Sequence, residues 1–264
     1  MSVLEALGDG AVVTKRNLIK MRRVPDVIVF STIQPIMFVL LFVYVFGSAI
    51  SVPGVDYRDF LMGGIFAQTI VFGSAMTGVG LADDLQKGII DRFRSLPMAR
   101  SAVLVGRTTS DLLNNLIVLV VMAVVGLAVG WRVNTSFLEG LAGFAVLLIF
   151  GYAMSWISAT IGLMVRSVEV AQSAGFIWLF PLTFLSNVFV PVQGLSPVLR
   201  IIAEWNPISA VAEALRQLFG NVGPVQETAW PLVHAVPVSL AWSVLILAVF
   251  IPLSVNRYRA AAAR

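Results

Sequence analysis

The sequence predicts an all-α integral membrane protein with six transmembrane helices, and three observations carry that prediction. Of 264 residues, 58% are apolar and 12% charged, with a mean hydropathy of +0.92. Soluble domains carry about 25% charged residues, so most of this surface is suited to lipid rather than water. Six apolar runs are each long enough for a hydrocarbon core of about 30 Å, which takes roughly 20 residues of helix. Lysine and arginine alternate between the joining segments: fourteen of eighteen lie before the first run, between the second and third, between the fourth and fifth, or after the sixth. That bias places both termini in the cytoplasm.

Residues 1–26 precede the first run. On a helical wheel Lys15, Arg16, Lys20, Arg22 and Arg23 share one arc, with Val13, Leu18, Met21 and Val24 opposite, although Val12 and Ile19 blur the separation. This is the pattern of an interfacial helix on anionic lipid; the competing reading is purely topogenic charge. Glu5, Asp9 and Asp26 in this leader, and the length of the run behind it, argue against a cleaved signal peptide. The runs are 27–55, 60–82, 112–131, 140–165, 170–199 and 235–256, giving a transmembrane domain over 27–256 and a basic cytoplasmic tail over 257–264. Only Arg166 and Glu169 are charged between the fourth and fifth runs, which predicts a tight hairpin there.

What the runs lack excludes several functions. None contains Asp, Glu, Lys or Arg, whereas ion-coupled pumps bind their ion through intramembrane ionisable groups. The chain has no cysteine and a single histidine, His234, so metal-ligand and nucleophile constellations fail for want of residues. His234, beside Trp230, reads as an interfacial residue. The P-loop pattern is missing too. Uphill transport by this chain therefore needs an energy source on another subunit. The polar residues inside the runs are neutral: Gln34, Gln68, Asn114, Asn115, Gln172 and Asn187. They suit interhelical hydrogen bonding, with a substrate path as the alternative. Gly151, Ser155, Ser158 and Gly162 form one stripe of small residues, the mark of close helix packing.

Two joining segments are informative. In 83–107, Leu85, Ile89, Phe93 and Leu96 share one helical face and Asp83, Lys87, Asp91 and Arg94 the other, predicting an amphipathic helix that ends at Pro97. Gly88 interrupts it and predicts a bend or a close backbone approach. Between the fifth and sixth runs, 195–205 and 207–219 are apolar-rich segments split by Asn206-Pro207 and too short to cross a bilayer. Runs of this length suit a re-entrant pair, with Asn206 as N-cap and Pro207 in the first turn of the second helix. Arg200, Glu204, Glu213 and Arg216 must then face one another or water.

The segment Gly88-Ile89-Ile90-Asp91-Arg92-Phe93-Arg94-Ser95-Leu96-Pro97-Met98-Ala99-Arg100, followed by Gly106-Arg107, closely resembles the first cytoplasmic loop of the type-2 ABC exporter permeases, and within them the daunorubicin-resistance branch. Asn206-Pro207-Ile208-Ser209, with Glu213, Ala214 and Arg216 following, is similar to the Asn-Pro motif of the family's last extracellular loop. One departure is Ile89, where the wider family often has threonine.

The resemblance covers essentially the whole chain. It implies a transmembrane subunit in the bacterial cytoplasmic membrane that works with cytoplasmic ABC ATPase subunits and a second permease chain. ATP and Mg would sit on those partners, with no cofactor, metal or catalytic residue in this chain and no nucleic-acid partner. It implies a coupling helix over 83–97, with Asp84, Leu85, Gly88, Ile89, Arg92, Phe93, Arg94 and Pro97 as its contact residues. The basic residues Lys15 to Arg23 would border the ATPase as well as lipid, and Asn206, Pro207, Glu213 and Arg216 would belong to an extracellular gate. Phe38, Phe42, Phe72, Asn115, Phe184 and Asn187 are candidates for the path of a hydrophobic or amphipathic cargo. The alternative is an ATP-independent carrier or channel.

Overall fold

The computed structural model describes residues 14, 19, 26–47, 49, 50, 52, 54–89, 100–223 and 228–261. Their regular structure is helical, with no strand among the described residues. In chain order the helices are α1 (Asp26–Leu40, continued by a π-helical turn, Leu41–Phe46), α2 (Tyr57–Gln86), α3 (Arg100–Ala128), α4 (Phe137–Met164) and α5 (Val168–Phe184). A 3-10 turn (Val192–Gly194) is followed by α6 (Pro197–Trp205), α7 (Pro207–Phe219), α8 (Trp230–Val233) and α9 (Ala235–Ala261).

Among the described residues four helices are long and apolar enough to cross a membrane: α2, α3 from Ala102, α4, and α9 to Arg259. α1 with its π turn and α5 are shorter apolar helices. Their outer faces suit lipid: α3 exposes Val120, Val124 and Leu127, and α9 exposes Val244, Leu245 and Val249. One end of the bundle, where α2 stops and α3 begins, is basic, with Lys87, Arg107, Arg166, Arg257 and Arg259. At the opposite end Asp56 caps α2 by accepting from the Arg58 backbone N–H. The Arg58 side chain hydrogen-bonds the same carboxylate and holds it below the ordinary aspartate range. α4 opens on a full capping box between Ser136 and Glu139, and Ser167 caps α5 within the tight hairpin expected between them.

α2 forms the centre. Leu61, Met62, Ile65, Phe66 and Ile70 are all fully buried. Phe66 makes edge-on contacts with Trp131 (5.2 Å) after α3 and Phe219 (6.1 Å) at the end of α7. The most extensive helix contact joins α2 to α4, along the predicted small-residue stripe. A Cβ on Gly162 would run into the Gly78 carbonyl, one on Gly78 into the Ser158 carbonyl, and one on Gly151 into Ile70. α4 and α9 are joined by hydroxyls, Thr160 to Ser254 at 2.7 Å and Ser254 to the Trp156 carbonyl at 3.2 Å. Gly162→Val should therefore lower stability by about 1–3 kcal/mol or more, since backbone cannot step aside as a side chain can. Gly175→Ala, whose Cβ would meet only Ala75 at an ordinary 3.6 Å, should change it little. Thermal unfolding of the two purified variants in one detergent measures the difference.

Three expectations are corrected. The fifth run does not continue as helix to residue 199: α5 ends at Phe184, and the remainder is a bend, the 3-10 turn and the start of α6. Hydropathy cannot see this boundary, because the bend is as apolar as the helix before it. Residues 83–86 are the last turn of α2 rather than the start of a separate amphipathic helix, and 100–107 already belong to α3, so the connection narrows to 87–99. Gly88 ends α2. Its φ is +63°, its N–H bonds to the Leu85 carbonyl, and among the described residues a Cβ there would meet nothing within 4 Å. Backbone handedness is reason enough for the glycine, since a left-handed conformation costs other residues about 1–2 kcal/mol. Finally, α3 extends twelve residues before the predicted run and takes Arg107 and Asp111 into an apolar helix.

Candidate functional site

The end of the bundle opposite the basic one is organised by α7. Asn206, Ser209, Glu213 and Arg216 recur at spacings of three, four and three and so lie along one helical face. All four are buried. Asn206 does two jobs: its Oδ1 accepts from the Ile208 N–H (2.8 Å) as N-cap, while its Nδ2 donates to the carbonyls of Leu182 (2.7 Å) and Leu185 (2.8 Å). Ser209 Oγ accepts from the Asn187 N–H at 3.0 Å. Arg216 donates through Nε to the Phe60 carbonyl (2.9 Å), through Nη1 to Glu213 Oε2 (3.0 Å) and through Nη2 to the Asn187 carbonyl (2.8 Å). Its guanidinium also lies 3.6 Å from the centre of the Phe60 ring. Asn187 Nδ2 completes the set by donating to Glu213 at 3.3 Å.

This arrangement solves a definite problem. α5 stops inside the bundle, so its last carbonyls and the bend at 185–188 present buried backbone groups that a spanning helix would have satisfied itself. The polar face of α7 supplies the missing partners. α2 makes room for both: a Cβ on Gly64 would collide with Val188 backbone, and one on Gly63 would press on Arg216 Cγ and the Ala212 carbonyl. On α6, Arg200 pairs with Glu204 at 2.7 Å, so all four charges of this segment have the partners that the sequence demanded. Sequence reasoning assigned Asn206, Pro207, Glu213 and Arg216 to this end, quoted Ser209 only within the Asn-Pro motif, and passed over Gly63 and Gly64. The one-face spacing of Ser209 with the other three was a usable signal; the glycines carried none.

From this bend runs a continuous array of phenylalanine rings. Phe38, Phe42 and Phe46 form a ridge on α1 and its π turn, and Phe176, Phe180 and Phe184 a second ridge on α5, each at four-residue spacing. Phe189, in the bend, stacks on Phe42 (4.5 Å between centroids) and Phe38 (5.9 Å) and meets Phe184 (5.3 Å), thereby joining the ridges. Phe72 on α2 meets Phe180 edge-on at 5.2 Å. The Tyr57 hydroxyl donates to the Phe189 carbonyl at 3.0 Å and fixes the joint. Phe46, Phe180 and Phe184 are exposed, whereas Phe189 is buried. Four of the six predicted path residues, Phe38, Phe42, Phe72 and Phe184, thus fall in one surface. Asn187 instead belongs to the α7 tie, and Asn115 is buried against α2 where Gly73 leaves space.

At the basic end, Asp84 is buried in the last turn of α2, with Leu85 beside it and Gly88 and Ile89 following. Gln86 Nε2 donates to the Arg166 carbonyl (3.4 Å) and Lys87 pairs with Asp83 (2.8 Å). The Thr14 hydroxyl donates to the Gly106 carbonyl at 3.2 Å, which puts Thr14 against α3. Arg92, Phe93, Arg94 and Pro97, and likewise Lys15, Arg16, Lys20, Arg22 and Arg23, lie outside the described residues. His234 stacks on Trp230, with ring centres 5.0 Å apart. Among the described residues no three His, Asp or Glu side chains are grouped to hold a metal.

An apolar helical bundle whose internal break is repaired by a buried polar helix face belongs to the multi-pass membrane proteins. Comparison with known proteins sharpens this: the profile described as ABC-2 type transporter matches residues 10–219, and the chain belongs to that family. Over 245 residues it is 32% identical to the "Daunorubicin resistance ABC transporter permease protein DrrB1" of Streptomyces coeruleorubidus, covering 92% of this chain and 83% of that protein. It is 24% identical over 213 residues to the "Probable doxorubicin resistance ABC transporter permease protein DrrC" of Mycobacterium tuberculosis, covering 80% and 76%. A third relative is the "Probable multidrug ABC transporter permease YbhR" of Escherichia coli K12, 25% identical over 189 residues that cover 68% of this chain and 50% of that protein. The chain is a permease subunit of an ABC transporter.

Proposed function

We propose that this permease exports a hydrophobic or amphipathic molecule across the bacterial cytoplasmic membrane, driven by ATP hydrolysed on separate cytoplasmic ABC subunits. Two permease chains and two ATPases make the working unit. The basic end is cytoplasmic, α1 and α5 complete six crossings, and residues 1–26 form the interface helix on anionic lipid. The connection 87–99, with Asp84 and Leu85 at its root and Arg92, Phe93, Arg94 and Pro97 within it, docks on the ATPase. α6 and α7 are the re-entrant pair that closes the outer end. The observation that carries this reading is the array of phenylalanines, which offers an apolar cargo an adaptable surface and ends at the bend that α7 holds. The names of the relatives, with daunorubicin and doxorubicin resistance among them, agree with a drug or antibiotic as cargo.

The reading is tested in proteoliposomes holding the permease with its ATPase. Phe42→Ala and Phe184→Ala should each lower ATP-dependent transport of daunorubicin by about two- to tenfold while ATPase binding stays unchanged, in keeping with loss of one aromatic contact of roughly 0.5–1.5 kcal/mol. Transport that continues without any ATPase and follows a proton gradient would establish a secondary carrier instead.

A further inference from the structure

The helices that flank the 87–99 connection are joined to each other a short way inside the bundle. Arg107 of α3 lies against α2, donating through Nη2 to the Met76 carbonyl (3.4 Å) and through Nε to Asp111 (3.0 Å) one turn along its own helix. The side chain is 17% exposed, so the pair is screened far less than a surface pair. Arg107 fits because residue 80 is glycine: a Cβ there would overlap the guanidinium itself. Gly80 has no positive φ, so its glycine is there for space, at a cost of about 1 kcal/mol against alanine within a helix. Asp84 follows one turn along α2 and Asp83 beside it, adding negative charge on the side toward the connection.

A link at this position has a mechanical consequence. The connection is thirteen residues long, and its second residue is Gly88, left-handed and with open space around it among the described residues. A push on such a segment is dissipated by bending at its ends unless the helices it joins are held to each other close by.

We propose that Arg107, seated in the niche left by Gly80, is a positioning residue that makes the connection-side ends of α2 and α3 one lever, so that displacement of 87–99 moves both helices together. This rests on the reading of 87–99 as the ATPase-facing segment.

The experiment uses the reconstituted permease–ATPase complex and records ATPase binding, ATP hydrolysis and transport at equal amounts of inserted protein. Arg107→Ala and Gly80→Val should keep binding and hydrolysis within about twofold of the parent and lower transport per ATP by about tenfold, the scale of an ordinary coupling free energy. Arg107→Lys, which keeps the charge without the planar fork, should fall between. The chain has no cysteine, so a Gly80→Cys, Arg107→Cys pair can be bridged specifically by a short thiol crosslinker, and bridging should restore transport to that double variant. Unchanged transport per ATP in both Arg107→Ala and Gly80→Val overturns the proposal, as does bridging that abolishes the remaining transport. Parent protein that transports with no ATPase bound overturns the coupling reading itself, which is a separate result.

Discussion

Arg216→Ala is expected to destabilise the protein by about 3–5 kcal/mol, the scale set by removing one partner of a buried ion pair. The substitution leaves the carboxylate of Glu213 buried beside no guanidinium, and it strips donors from the carbonyls of Phe60 and Asn187. Thermal unfolding in detergent should show the loss directly, and membranes should hold less of the protein. Two further variants separate the contributions. Arg216→Lys restores a cation near Glu213, but one ammonium cannot reproduce a planar fork that serves α2, α7 and the bend at once. Replacing both Arg216 and Glu213 with leucine removes the buried charges altogether, an exchange that is often neutral where an ion pair acts alone. Here it should recover only part of the stability, because the Asn187 carbonyl in the bend remains unsatisfied at about 1–3 kcal/mol, whereas that of Phe60 keeps its own helical partner. Full recovery in the double variant would reduce Arg216 to the partner of Glu213 and remove its role in holding the bend.

The same residues show what could be read from the sequence. The four helices long and apolar enough to span, the N-cap and first-turn proline of α7, and the requirement that Arg200, Glu204, Glu213 and Arg216 be neutralised all follow from composition, period and the cost of burying charge. The small-residue stripe of α4 likewise announced a close helix contact, whose partner the structure identifies as α2, and the Phe38-Phe42-Phe46 and Phe176-Phe180-Phe184 ridges are visible as four-residue repeats. The end of α5 was not legible. Its last carbonyls are satisfied by Asn206, more than twenty residues downstream, and hydropathy records neither partner. Arg107 was misplaced for a related reason: hydropathy counts it as a charge at the edge of a span, whereas pairing with Asp111 and a niche on α2 let the helix extend past it. Phe189, the ring that unites the two aromatic ridges, sits in the same unpredicted bend.

Asn206 offers the sharpest test of that bend, since its two functions can be separated by chemistry. As an N-cap, asparagine is equalled by aspartate, and loss of the cap costs about 1 kcal/mol. As a donor to Leu182 and Leu185 it has no such substitute, because a carboxylate presents only acceptors to two carbonyl oxygens at 2.7 and 2.8 Å. Asn206→Asp should therefore be at least as damaging as Asn206→Ala. The alanine variant loses the cap and leaves two buried carbonyls unpaired, about 3 kcal/mol or more in all. The aspartate variant keeps the cap but adds repulsion at the end of α5, where the helix dipole already concentrates negative charge. Were capping the main role, the order would reverse and Asn206→Asp would unfold near the parent temperature. The transport readout should follow the same order, since the carbonyls in question position the bend that carries Phe189 against Phe42.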